Sequence, residues 1–369
     1  MKKKFSAMLL SVCLIISSMT ACNNSSTSNS TTVPVNKVVK DNITINFTDS
    51  AARQVKVPSH ITRIVPSGAL AQMALFALAP DMFVGLATKW DPVSKQYLDT
   101  KYYNLPVLGQ FYGSGDLNLE QIAKVNPQVI IDVGESKSSI VKDMDGITKQ
   151  VGIPTVHIEA TSESMGKAYR MLGKLLGREK QAEVLAQYCE KDYSNTQNIM
   201  KKVGTGGKVK LLYCTGEDGL SVLAKGSFHS AVIDQVSDNV AVVKNISQKG
   251  SGNPVDMEQI LLWDPEVIIF APGSMYSKVA KDKTWQKLTA IKKGNYYEVP
   301  IGPYNWMGSP PSVNQFMGMI WITQLLYPKE AKYNAYEETA KYYKLFYHSK
   351  LTEAQYKMLV KKSLLVSKK

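Results

Sequence analysis

Two glutamates carry the sharpest chemical pattern in this sequence. Glu120 lies in Asn118-Leu119-Glu120-Gln121-Ile122 and Glu258 in Asp256-Met257-Glu258-Gln259-Ile260. Each follows an Asn or Asp able to cap a helix, which places its carboxylate in a first turn near the positive end of the helix dipole. Taken singly, either glutamate is explained by that structural role. Taken as a pair, at matching points of two similar segments, they make two charged knobs. The histidine inventory is thin. Four histidines occur, His60, His157, His229 and His348, whereas a site for bare zinc or manganese gathers several His and carboxylate ligands. His157 falls in an apparent strand, Thr155 to Ile158, and His348 in a helical C-terminal segment. His229 alone sits in a loop placed to meet a ligand, and a loop or capping role explains it equally well. We expect no free metal site and no cofactor.

Two further motifs fail on inspection. Gly204-Thr205-Gly206-Gly207-Lys208 lacks the Ser/Thr after Lys and precedes a strand, so it is a helix stop and not a phosphate loop. Gly226-Ser227-Phe228-His229-Ser230 lacks the second glycine of a nucleophile elbow. No nucleophile–base pair is evident at a loop cluster, and we expect no enzyme. Aromatic residues, in contrast, crowd the expected strand ends: Trp90, Phe111, Tyr112, Tyr304 and Trp306. Rings bury about 150–250 Å² each at small entropic cost, which suits a large flat or amphipathic ligand. Packing within one lobe's own core is the competing explanation for each of them. With His229, these five form the expected ligand-binding set.

The elements that must position these residues alternate between strand and helix. Ile43 to Phe47 alternates apolar and polar residues, Val55 to Val57 and Ile61 to Val65 follow as strands, and Ala69 to Leu78 reads as a helix. Met82 to Leu86 reads as another strand. Residues 117–136 and 255–274 are then alike, with eight of twenty positions identical without a gap, including Glu120/Glu258, Pro127/Pro265 and Val129/Val267. Repeated helix-to-strand units build parallel sheets covered by helices, so the chain is expected to hold two similar lobes. Between them Glu179 to Lys202 contains no Gly or Pro. About 24 residues at ~1.5 Å each make a rod of ~36 Å, enough to run along a whole domain and limit hinge bending. The expected fold class is α/β: two parallel-sheet, Rossmann-like lobes bridged by a long rigid α-helix. The boundaries are 43–161 for the first lobe, 162–203 for the connecting helical region, 204–330 for the second lobe and 331–369 for a helical tail.

The N-terminus carries a different message. Lys2, Lys3 and Lys4 precede an apolar run from Phe5 to Ile16, too short to span the ~30 Å of a bilayer core. Met19-Thr20-Ala21-Cys22 follows, and it resembles a bacterial lipobox. Residues 23–32 are almost entirely Asn, Ser and Thr, a composition that cannot bury apolar surface. We expect a signal peptide at 1–21, a lipidated Cys22 and a flexible tether at 22–42. Removing residues 1–21 deletes three lysines and no acid, so the net charge of +13 becomes +10. Without clustered basic residues interleaved with aromatics, that balance does not indicate a nucleic-acid partner. Cys189 and Cys214 are left as two thiols with no disulfide framework and no zinc-type spacing.

The assembly resembles the Fe/B12-type (class III) substrate-binding proteins of ABC importers over roughly residues 43 to 330. Carrying the resemblance are Asn118-Leu119-Glu120 with Asn126-Pro127-Gln128-Val129-Ile130-Ile131, the run Leu176-Gly177-Arg178-Glu179-Lys180, and Trp285 with Ala290-Ile291-Lys292. It implies two lobes bridged by a rigid helix and a cargo such as a ferric siderophore, haem or corrinoid. It also implies that Glu120 and Glu258 dock into arginine pockets of an ABC permease dimer. A lipid-anchored monomer at the outer face of the cell membrane, or in the periplasm, is expected to do this. Only four arginines occur, Arg53, Arg63, Arg170 and Arg178, which leaves few groups to clamp a strongly anionic siderophore. The alternatives are a molybdate- or tungstate-like oxyanion receptor of the same fold, and an anchored extracellular hydrolase.

Overall fold

The computed structural model describes residues 43–112 and 117–363. The signal peptide, Cys22 and the tether lie outside the described residues. Among the described residues eleven strands form three sheets. Strands β1 (Thr44–Thr48) and β2 (Gln54–Pro58) make an antiparallel hairpin. Strands β3 (Ile64–Pro66), β4 (Val129–Gly134) and β5 (Thr155–Glu159) form a parallel sheet in the order β3-β4-β5. The remaining strands are β6 (Lys210–Thr215), β7 (Ser221–Val222), β8 (Asp238–Asn239), β9 (Asn253–Pro254), β10 (Val267–Phe270) and β11 (Tyr296–Glu298). They build the third sheet in the order β11-β10-β6-β7-β9, with β8 beside β6. Its β10–β11, β10–β6 and β6–β8 pairs are parallel, whereas β7 joins β6 and β9 antiparallel. This second sheet is therefore mixed. A two-residue β7 returns from β6 through the tight turn at Gly216 and Gly219, both at positive φ, where a crossover helix would have been needed for parallel pairing.

Thirteen helices accompany the strands: α1 (Ala69–Leu78), α2 (Thr100–Tyr103), α3 (Leu119–Val125), α4 (Ile140–Val151), α5 (Met165–Leu176), α6 (Glu179–Val203) and α7 (Ala231–Val236), then α8 (Met257–Trp263), α9 (Tyr276–Val279), α10 (Thr289–Lys293), α11 (Asn314–Leu326), α12 (Ala335–Phe346) and α13 (Glu353–Leu359). The duplicated units take the same shape. Asn118 Oδ1 accepts from Gln121 N at 2.9 Å and Asp256 Oδ1 from Gln259 N at 2.7 Å. Both helices stop in a left-handed residue, Asn126 at φ 41° and Asp264 at φ 34°, directly before a proline that cannot continue them. Both then lead into an interior strand of a sheet, β10 wholly buried and β4 buried up to its last residue.

The 25 residues of α6 run about 37 Å. Its partner α5 lies close because Gly173 faces Ala182: a Cβ at Gly173 would stand 2.5 Å from the Ala182 Cβ. Met82 to Leu86 is not a strand. Pro80–Met82 forms a 3-10 turn, and only single bridges, Phe83 to Ile64 and Leu86 to Val107, follow. The last segment is not a tail either. Tyr342, Tyr343 and Phe346 of α12 are fully buried. They meet Tyr188 of α6 and Tyr97 of the first half, so the chain end closes back over the first lobe. Both Cys189 and Cys214 are free and buried, each thiol's pKa raised by burial.

Candidate functional site

Parallel sheets expose their ligand-binding edge beyond the carboxyl ends of the strands, where connecting loops splay apart. The first lobe follows this rule. The turn Ser67–Gly68 after β3 with the start of α1, and the end of β4 from Asp132 with Glu135 and Lys137 beyond it, join Gln110 and Tyr112 in lining a cleft of about 370 Å³. Phe228, His229 and Gln248 line the facing wall, with Pro311 between.

The floor is the N-terminus of α1. Gln72 N donating to Gly68 O at 2.9 Å is the first intrahelical bond, so the amides of Ala69, Leu70 and Ala71 have no intrahelical acceptor. No acidic side chain sits in that first turn. Gly68 keeps the approach open, because a Cβ there would come within 3.2 Å of Tyr112 O and 3.3 Å of Gln110 Oε1.

Beneath this floor runs a hydrogen-bonded chain that sequence reasoning missed. Ser67 Oγ donates to Asp132 Oδ1 at 2.5 Å, and His157 Nδ1 lies 2.7 Å from Asp132 Oδ2. A carboxylate only accepts, so Nδ1 carries a proton, and Nε2 lies 2.8 Å from Ser136 Oγ. The His157 amide donates to Asp49 Oδ2 at 3.1 Å, and Arg53 bonds the same oxygen at 2.6 Å. The order Ser–His–Asp matches a hydrolytic triad, yet the imidazole is completely buried. A leaving group cannot reach Nε2 for protonation, so the chain positions the cleft wall. Its signal in the sequence, an Asp and a His inside two otherwise mostly apolar strands, became legible only once β4 and β5 paired Asp132 with His157.

His229 stands opposite. Nδ1 lies 2.6 Å from Gly308 O, which as an acceptor fixes the proton on Nδ1. Nε2 has no hydrogen-bond partner among the described residues, and in the neutral imidazole it presents a lone pair. Gly250 packs on the ring, where a Cβ would come within 3.0 Å of Cε1, and Gln248 Oε1 accepts from Phe228 N at 2.8 Å. Tyr112 contributes its ring; burial with the nearby Asp143 carboxylate pushes its hydroxyl pKa up to about 12.

Four aromatics expected at the ligand lie elsewhere. Trp90, Trp306 and Phe111 are buried in the core, and Tyr304 is packed against it. Trp90 Nε1 donates to Tyr102 O at 3.1 Å, and its ring lies 5.6 Å from that of Tyr304. Tyr304 Oη accepts from Gln72 Nε2 at 3.0 Å, and burial pushes its pKa well above the ordinary value. The stiff segment 302–312 turns these rings inward because its backbone is tied on both sides. Ser94 Oγ donates to Pro303 O at 3.3 Å, and Ser312 Oγ to Leu70 O at 2.9 Å. Glu120 and Glu258 are both exposed in their first turns.

The profile of a family described as periplasmic binding protein matches residues 75–301, more than half of the sequence. The chain belongs to that family. Within it, the chain falls among the Fe/B12-type (class III) binding proteins. A putative ABC transporter substrate-binding lipoprotein, YhfQ, of Bacillus subtilis is 24% identical over 54% of this chain and 64% of its own length. The match thus spans less than two thirds of that relative. An ABC transporter solute-binding protein from Sulfurospirillum deleyianum is 26% identical, covering 86% of this chain and 99% of its own, with a TM-score of 0.79. The molybdate-bound MolA of Haemophilus influenzae, 19% identical over 84% of this chain and 99% of its own, shares the fold with a TM-score of 0.66. Among the described residues no helix of this family member is long and apolar enough to cross a membrane.

Proposed function

We propose that this chain captures a metal chelate of the ferric siderophore, haem or corrinoid classes and hands it to an ABC importer permease. His229 carries the reading. Its Nδ1 donates to Gly308 O, so Nε2 is the ring nitrogen left to meet a ligand, and the residue lines the cleft. Such a nitrogen suits a metal whose other positions the chelator already fills. The cleft, near the lower end of the usual ~300–1,000 Å³ range, favours a compact chelate. No arginine lines it, so bidentate clamping of several carboxylates or catecholates is not built in. Lipidation at Cys22 would hold the receptor at the outer face of the membrane, as a monomer, with Glu120 and Glu258 presented to the permease.

A second reading rests on a separate observation. Three unpaired amides at the start of a ten-residue helix are a ready anion cradle, and the Haemophilus relative is a molybdate receptor. The absorption spectrum and metal content of protein purified from its own cells separate the two. A haem, corrinoid or ferric charge-transfer band with a matching metal supports the chelate; molybdenum or tungsten without a visible band supports the oxyanion. Protein that neither carries nor takes up any of these contradicts both.

A further inference from the structure

A second cavity, of about 310 Å³, opens between α6, α11 and α12 and shares no lining residue with the cleft. Its wall holds two polar atoms with no partner. Tyr188 is 7% exposed, and its hydroxyl makes no hydrogen bond; Asp192 Oδ2 is equally buried and equally unpaired. After burial itself, the Asp192 carboxylate is the strongest influence on that phenol, although the two are not bonded to each other. Glu338, half-buried on α12, adds a second carboxylate with no ion pair among the described residues. A buried acceptor left without a donor costs about 1–3 kcal/mol, more when charged, so two such oxygens around one void point to an occupant that donates.

We propose that this cavity binds a small ligand through a primary ammonium group held by Asp192, Glu338 and Tyr188 Oη. Three acceptors match the three donors of an ammonium. A divalent ion fits poorly: calcium wants six to eight oxygens and magnesium an octahedron, whereas this wall supplies two carboxylates and a neutral phenol. The rings of Tyr188 and Tyr333 and the side chain of Ile320 give the ligand's carbon stem an apolar surface. Lys341 Nζ stands 5.4 Å from the centre of the Tyr188 ring and pairs with neither acid. It is placed to receive a carboxylate if the ligand is an amino acid and to repel a simple amine.

The test is a thermal-shift and calorimetric titration of the full chain with n-propylamine, β-alanine, n-propanol, calcium and magnesium, at fixed ionic strength. Saturable binding of propylamine or β-alanine, with none of propanol, is expected. Asp192→Asn should abolish it while leaving the melting temperature unchanged or higher, because burial and the neighbouring Glu338 already push the Asp192 carboxyl well above the ordinary carboxylate range and an amide carries no charge to desolvate. Tyr188→Phe should weaken it about tenfold, the value of one hydrogen bond to a charged group. Tighter binding of β-alanine than of propylamine, reversed in Lys341→Met, identifies an amino acid; the opposite order identifies a simple amine. No saturable binding of either, binding that survives Asp192→Asn, or a response to the metals alone overturns the proposal. Because the cavity is separate from the cleft, loading of the cleft decides nothing here.

Discussion

At the scale of single residues, an aromatic side chain in a loop rich in Pro and Gly has two possible destinations, and the backbone around it chooses. Trp306 lies in such a loop and is 1% exposed. Its neighbour Asn305 sets the geometry: Asn305 Nδ2 donates to Tyr213 Oη at 3.2 Å and its Oδ1 accepts from Met307 N at 2.8 Å. Asn314 Nδ2 donates to the Asn305 and Pro310 carbonyls at 2.5 and 2.9 Å. With the main chain held by buried amides, the indole has only the core to enter. Trp306→Ala is therefore expected to cost about 3–5 kcal/mol of stability through the cavity it leaves. Urea denaturation measures this, and ligand affinity should change only as far as the fold does. Sequence could list Trp90, Tyr304 and Trp306 as large rings near strand ends. It could not say that Gln72, Ser94 and Leu70 would capture the loop from the other lobe, because those bonds join positions more than 200 residues apart. Tyr112 came from the same sequence argument and does line the cleft, beside His229; what differs is the surrounding backbone, not the side chain.

At the scale of elements, local signals were legible wherever they repeat. The helix with its Asn or Asp cap, the left-handed stop before proline and the apolar strand that follows were readable twice, 138 residues apart, and both copies fold alike. The run without Gly or Pro from Glu179 gave the long helix within a residue. Met82 to Leu86 misled because a short apolar run has no period of its own; Pro80 starts a turn, and the chain then crosses the sheet edge making only isolated bridges. The mixed second sheet was hidden for the same reason, since β7 and β9 are two residues each. Helix α6 owes its position to α5. Arg170 bonds Glu183 at 2.7 Å and Glu190 at 2.5 Å, but these groups are 40–45% exposed and such pairs contribute little. The close approach at Gly173 matters more. Gly173→Ala should destabilise by about 1–2 kcal/mol, the overpacking cost less the better helix propensity of alanine. A stabilised variant in thermal unfolding would show that the helices are free to separate.

At the scale of the molecule, more than one rod joins the halves. Segment 302–312 crosses from the second sheet and bonds Gln72, Ser94 and Leu70 on one side and His229 on the other. Tyr343 of α12 closes on the same segment by donating to Gly302 O. Hinge bending between the lobes is thereby restricted at several points, which matches a receptor that closes only slightly on its cargo. In the proposed handover, a permease would recognise surface features that exist before loading. Glu120 and Glu258 are exposed, alike in their capping, and free of ion pairs among the described residues. Charge reversal at either, Glu120→Arg or Glu258→Arg, is expected to abolish uptake by cells while ligand affinity in solution stays within twofold or so of the parent. An equal loss of affinity would place these carboxylates at the ligand instead.

The central claim is that a small cargo is held in the cleft against His229. Its most direct test is the metal-to-protein ratio of the full chain purified from its own cells, measured by mass spectrometry for the parent and for His229→Ala. The account predicts a ratio near one in the parent and a clear fall to about half or less in the variant, whose Kd should rise about tenfold or more, the loss expected of one coordinating or hydrogen-bonding group worth ~1.4 kcal/mol or more. An equal ratio in both proteins, with the fold intact, would contradict it.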